Sequence, residues 1–173
     1  MVELASDGPI RLRGATAADQ PMIRAMVRAA RLNPFGLQWQ NFLIAEQMAG
    51  EAPQVVGIGQ LRPHGRGVVE LASLVVVETQ QGQGVGTRLV NALIARAGGR
   101  LYLMCETRLV AYYQRFGFVR LTQPAEMPPP LRRLYRIGSL LVQVMRWFTG
   151  ETHQINILAH PGPTPAGTPV RPA

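Results

Sequence analysis

The sequence predicts an α+β fold, one domain in which helices flank a single sheet. Three observations point there. Strand-like apolar runs and helix-like 3.6-residue periodicities follow one another in the mixed order β-α-β-β-β-α-β-α-β, neither strictly alternating nor sorted into blocks. The two strand-like segments after the first helix are joined by hairpin punctuation, which makes them antiparallel neighbours. The chain has 173 residues, of which 47% are apolar and 16% charged, enough to close one sizeable core. No internal repeat is present.

The elements follow in order. Residues 1–8 read as a flexible N-terminus, and Ile10–Arg13 alternates as a short strand. Thr16-x-x-Asp19 is a relative of the capping box, and Pro21 fits a first helical turn. Met22, Ile23, Met26, Val27 and Ala30 then predict an amphipathic helix over 17–31, closed by Asn33-Pro34. Gln40–Gln47 and Gln54–Arg62 form the hairpin, and Pro63-His64-Gly65-Arg66-Gly67 turns the chain into a long strand, Val68–Val77. A glycine-rich turn leads into a helix over 85–97, with Leu89, Val90, Leu93, Ile94 and Ala97 on one stripe. Leu101–Cys105 is a buried-type strand, Leu109–Phe116 a helix stopped by Gly117, and Phe118–Leu121 a further strand. After Pro128-Pro129-Pro130 a helix is predicted over Leu131–Phe148, then a strand over Gln154–His160. Residues 161–173 hold five of the fourteen prolines and read as a disordered tail. The domain thus spans 9–160.

Composition removes several chemistries. All eighteen basic residues are arginines, so there is no P-loop or Schiff-base lysine. One cysteine, Cys105, allows no internal disulfide and no multi-cysteine zinc site, and His64, His153 and His160 lack metal-ligand spacing, so no metal is expected. None of the three serines lies in a G-x-S-x-G elbow. The first residues are acidic and lack the apolar run of a secretory signal, and no stretch approaches the ~20 apolar residues of a membrane span. A cytoplasmic protein is the expectation. The net charge of +8 is spread from Arg11 to Arg171 without interleaved aromatics, which argues for an anionic small ligand and against nucleic acid.

The chemistry concentrates in Leu74-Val75-Val76-Val77-Glu78-Thr79-Gln80-Gln81-Gly82-Gln83-Gly84-Val85-Gly86-Thr87. A strand enters a glycine-rich turn and then a helix. Inward-pointing N–H groups and the positive end of the helix make a cradle for phosphate or pyrophosphate. Neither G-x-x-x-x-G-K-[ST] nor G-x-G-x-x-G fits, since lysine is absent and position 87 is Thr87.

The spacing Gln81-x-x-Gly84-x-Gly86 resembles the acetyl-CoA-binding motif Q/R-x-x-G-x-G/A of the GNAT N-acetyltransferase superfamily. Farther on, Ala111-Tyr112-Tyr113-Gln114-Arg115-Phe116-Gly117-Phe118 resembles that family's second signature, ending Y-x-x-x-G-F. The preceding Leu103–Val110 is similar to the arylalkylamine N-acetyltransferase branch. The likeness covers roughly residues 9–122 and implies a mostly antiparallel mixed sheet splayed between the fourth and fifth strands.

It also implies direct transfer from acetyl-CoA, the co-substrate, to a primary amine. Backbone groups of Leu74, Val75 and Val76 would pair with the pantetheine arm, and an N–H near Val76 would polarise the thioester carbonyl. The N–H groups of Gly82, Gln83, Gly84, Val85, Gly86 and Thr87 would hold the pyrophosphate, leaving the side chains at 83 and 85 free to vary. Tyr113 falls on the family's general-acid tyrosine, with core packing the duller reading. Glu70, eleven residues before Gln81, falls on the glutamate base of the histone acetyltransferases. The two histidines of the arylalkylamine branch are here Glu70 and Ala72. Burial would suit Glu70 to a base role, against a solvent-facing or ammonium-binding glutamate or a water relay.

Glu106 replaces a CoA-contacting asparagine of many members. Cys105 reads as packing, His64 as a solvated hairpin tip, and Trp39 and Phe35 either as walls of the amine pocket or as core. The apolar stripe Leu134, Ile137, Leu140, Leu141, Val144 and Phe148, ringed by arginines, fits an acceptor-side cover, an interfacial membrane helix or a homodimer contact. Non-catalytic acyl-CoA sensing and nucleotide binding are the competing functions. The acceptor itself is not legible, although only two aspartates, Asp7 and Asp19, count against a polycationic one.

Overall fold

A computed structural model describes residues 9–49, 52–123, 126–133 and 155–162. The predicted N-terminal end 1–8, nearly all of the tail 161–173 and most of the helix over Leu131–Phe148 lie outside these residues, although 129–133 are helical.

Strand β1 (Arg11–Gly14) leads through a 3-10 turn (Ala17–Asp19) into helix α1 (Gln20–Ala29). The hairpin strands β2 (Phe42–Ala49) and β3 (Ala52–Pro63) precede β4 (Val69–Val76) and helix α2 (Val85–Ala97). Then come β5 (Leu101–Glu106), the short helix α3 (Val110–Gln114), β6 (Val119–Arg120) and β7 (Ile155–His160). The strands form one seven-stranded sheet among the described residues, in the order β1-β2-β3-β4-β5-β7-β6. All pairings are antiparallel except β4 with β5. The expected α+β architecture is therefore present, with β7 inserted between β5 and β6.

Alternation along the strands sends side chains to two layers. On one face Leu71, Leu101, Leu103 and Cys105 pack with Val90 and Leu93 of α2, Tyr113 of α3, Phe118 and Leu158. On the other, Ile23 and Val27 of α1 cover Phe42, Ile44 and Ile58. On β5 and β7, Tyr102 and Ala159 meet Leu131 of the C-terminal segment.

The predicted helix over 17–31 is shorter at both ends. At its start, Asp19 accepts from the Thr16 N–H (2.7 Å) and hydroxyl (2.8 Å), so the capping-box reading of this segment holds. At its end, Arg31 at φ 53° takes the left-handed position, and the Leu32 N–H closes onto the Val27 carbonyl at 3.1 Å before Asn33-Pro34 is reached. Helix α3 likewise begins late, after a 3-10 turn at Thr107–Leu109.

Asp19 also carries a fork from Arg13, with Nη1 at 2.7 Å and Nη2 at 2.9 Å, while Arg13 Nε donates to Glu46 at 2.7 Å. The guanidinium holds the Asp19 carboxyl well below the usual carboxylate range, the side-chain hydrogen bond being the main cause. A depressed folded-state pKa gives stability that is complete above the ordinary aspartate value of about 3.9 and declines as pH falls below it. Asp19→Asn should therefore lower the melting temperature at pH 7, by the equivalent of about 1–2 kcal/mol for a lost cap. The gap between variant and wild type should narrow toward pH 2 in thermal melts. A gap constant with pH would refute the ion-pair account.

Candidate functional site

The parallel β4–β5 pairing runs only from Val69↔Leu101 to Leu71↔Leu103. Beyond Leu71, β4 continues to Val76 with partners on the β3 side alone, Ala72↔Gln60, Val75↔Ile58 and Val76↔Gly57. The other edge of Ala72–Val76, which includes Leu74, Val75 and Val76, is left without a strand partner among the described residues. Between Ala72 and Val75 the register slips by one residue against β3, and Ser73 takes φ 51°. This bulge bends β4 away from β5 and opens the gap. The family likeness implies the splay but not the bulge, whose sole local trace is the lone serine inside Leu71–Val77.

At the end of β4 the chain makes a 3-10 turn (Glu78–Gln80) and the glycine turn. Gln81 Nε2 donates to the Val76 carbonyl at 3.2 Å and Gln83 Nε2 to the Thr79 carbonyl at 3.0 Å. Both side chains thus fold back to brace the turn. Gly82 and Gly84 stand at φ 80° and 82°, and a Cβ on either would meet nothing within 4 Å. Backbone conformation, not crowding by protein, requires glycine here. The first recorded α2 bond is Arg88 N–H to Gly84 O at 3.0 Å. The N–H groups of Val85, Gly86 and Thr87 thus precede the helical ladder and carry its positive end. An open, donor-rich cradle beside an unpaired strand edge fits a diphosphate with a peptide-like arm.

Gly86 has a different reason. A Cβ there would lie 2.8 Å from the Tyr112 hydroxyl. Tyr112 thus packs α3 onto the start of α2. Tyr113 points into the α2-side core, 7% exposed, edge-on to Tyr112 and Phe118. Burial first, then the neighbouring Cys105 and Tyr112, pushes its phenol well above the ordinary value, so it keeps its proton at neutral pH. Burial raises the Cys105 thiol to about 11, which leaves it neutral and fits the packing reading. Glu106, at the end of β5, accepts from Arg108 Nε at 2.6 Å.

Glu70 alternates with Leu71 and so faces the opposite layer. It is 3% exposed, neither solvent-facing nor isolated. His64 Nε2 lies 2.7 Å from its Oε2, and Nη1 of its cross-strand partner Arg62 lies 3.6 Å from the same oxygen. His64 is therefore not the solvated hairpin tip read from the sequence, since only 15% of its side chain is exposed. Three successive left-handed residues, Gly65, Arg66 and Gly67, curl the turn so that it folds back on Glu70. Arg62 also meets Gln60. Because a guanidinium only donates, the Gln60 amide oxygen must face it; it then accepts from Arg62 Nη2 (3.0 Å) and Ser73 Oγ (2.9 Å), while the amide nitrogen donates to Gly36 O (3.1 Å). A polar chain thus runs from the bulge to His64, under the α1–β2 loop. Of the two aromatics of that loop, Trp39 packs on the α1-side core and Phe35 is 77% exposed.

Tyr113 and Glu70 accordingly sit on opposite faces of the sheet, flanking the strand whose edge is open. Residues 18–118 match the profile of the acetyltransferase (GNAT) family. The chain belongs to that family.

Several solved structures share the fold of this chain. N-acetylglutamate synthase from Neisseria gonorrhoeae, complexed with coenzyme A and N-acetyl-glutamate, superposes with TM-score 0.69 at 22% identity, over 91% of this chain and 36% of the synthase. The chain thus spans about a third of that relative. Rv2747 from Mycobacterium tuberculosis, in complex with CoA, gives 0.64 at 19% identity over 87% and 98% of the two chains. The ribosomal-protein-S18-alanine N-acetyltransferase from Escherichia coli gives 0.61 at 16% over 94% and 99%. No curated protein matches the sequence. Among the described residues, no helix is long and apolar enough to cross a membrane, and no three of His, Cys, Asp and Glu converge as a metal site.

Proposed function

We propose that this acetyltransferase transfers the acetyl group of acetyl-CoA directly to a primary amine. The observation that carries the reading is the β4 edge left open past Leu71 where it runs into the left-handed glycine turn. When bound, acetyl-CoA supplies an activated acetyl thioester. The N–H groups of Gly82, Gln83, Gly84, Val85, Gly86 and Thr87 hold its diphosphate. The backbone of Leu74, Val75 and Val76 takes the pantetheine arm as a pseudo-strand, and an N–H near Val76 draws charge from the carbonyl oxygen. Tyr113 gives its proton to the departing thiolate. Glu70 receives the proton of the acceptor ammonium on the opposite face.

The acceptor class follows from weaker support. Neighbours of the same fold include a synthase bound to N-acetyl-glutamate and an alanine N-acetyltransferase. Amino acids and peptide N-termini therefore head the panel, before arylalkylamines and lysine side chains. The test is thiol release from acetyl-CoA across that panel, together with thermal melts in CoA or ATP. Thiol release with at least one amine and a rise in melting temperature with CoA but not ATP are expected. Tight CoA binding without release for any amine would favour a sensor instead, and stabilisation by ATP alone a nucleotide site.

A further inference from the structure

His64 has no place in the roles assigned so far, yet it makes the shortest contact of Glu70. Its ring is 15% exposed against 4% for the Glu70 side chain, so the imidazole is the more accessible of the two. Both polar contacts of Glu70, from His64 and from Arg62, fall on Oε2. No hydrogen bond to Oε1, or to His64 Nδ1, forms among the described residues. The pair thus presents one free carboxylate oxygen and one free ring nitrogen. An imidazole is a stronger base than a carboxylate, so of the two groups the ring is the better match for an ammonium.

We propose that His64 and Glu70 act as one base, with His64 as the member that stores the acceptor's proton. The inference rests on the acetyl-transfer reading above. In the step, an N–H bond of the ammonium breaks and its electron pair stays on nitrogen. The proton ends on the imidazole, leaving an imidazolium beside the Glu70 carboxylate. The freed lone pair forms the C–N bond as the thioester C–S bond breaks; the leaving thiolate takes the Tyr113 proton, and the second proton, which the nitrogen loses as the amide forms, passes through water to restore the Tyr113 phenol. The charged and titratable groups around the pair are Arg62 from β3 and, from the β5 side, Tyr102, the register partner of Glu70, with Arg100 over its ring at 5.5 Å. Arg62 pins the carboxylate from the strand side, so Glu70 positions the ring as well as sharing its proton.

The rival account is a structural tie between the β3–β4 turn and β4. His64→Gln separates the two, because its amide can keep the bond to Glu70 but cannot titrate. His64→Gln and His64→Asn are both expected to lower kcat about 10²-fold, with the KM for acetyl-CoA and the melting temperature little changed. Activity should recover as pH rises and the free amine deprotonates itself in solution. Glu70→Gln combined with either should be no worse than the weaker single variant, as for groups acting as a unit. Wild-type kcat and pH profile in His64→Gln would overturn the proposal, as would losses that multiply in the double variant. An inactive wild type would instead overturn the acetyl-transfer reading, and this inference with it.

Discussion

Tyr113→Phe is expected to bind CoA as tightly as the wild type and to lose kcat by about 10²–10⁴-fold, the usual worth of a positioned general acid. The substitution removes one oxygen from a ring that is 7% exposed and leaves its edge contacts with Tyr112 and Phe118 in place. Folding should therefore be spared, and thermal melting checks this. Tyr112→Phe is the informative companion. Its hydroxyl lies against Gly86 at the start of α2, so its loss should disturb CoA affinity more than turnover. An unchanged kcat in Tyr113→Phe, measured by thiol release with the best acceptor, would remove Tyr113 from the mechanism and leave proton delivery to water.

The second large effect is expected at the cradle. Gly84→Val should raise the Kd for CoA at least about 100-fold while the protein still folds. Gly84 is the N-cap of α2 at φ 82°. A residue with a Cβ pays roughly 1–2 kcal/mol there, and β-branching adds to this. The turn relaxes by rotating the peptide, which turns its N–H groups away from the anion. Because a Cβ at Gly84 meets no protein atom within 4 Å, no core contact is lost and the fall in melting temperature should be limited to the several degrees that this backbone cost implies. Calorimetry with CoA reads the affinity. Tight binding by a folded Gly84→Val protein would place the diphosphate elsewhere.

How much of this was legible beforehand depends on the range of each interaction. The strand–turn–helix from Leu74 to Thr87 is written in adjacent residues, so its glycines, its glutamine and the helix over 85–97 could be read directly. So could Asp19 reaching back to Thr16, three residues away. The splay and the two tyrosines came through likeness to a family. The bulge did not: Ser73 takes φ 51° because β3 and β4 pair out of step, and a pairing is not local. The same holds for His64. Its neighbours Pro63, Gly65, Arg66 and Gly67 all signal an exposed turn, which is why it reads as solvated. Three left-handed residues then fold that turn onto Glu70.

Glu70 shows the division most clearly. From the chain alone it is a misplaced acid in an apolar strand, and that oddity is enough to mark it. What it does there is decided by Arg62 across the ladder and His64 across the turn. The sequence by itself determined which backbone can grip an anion, because φ preferences and helix starts are properties of neighbouring residues. Only the tertiary structure decided which side chains meet Glu70, because that requires strands in register and a turn of one particular hand.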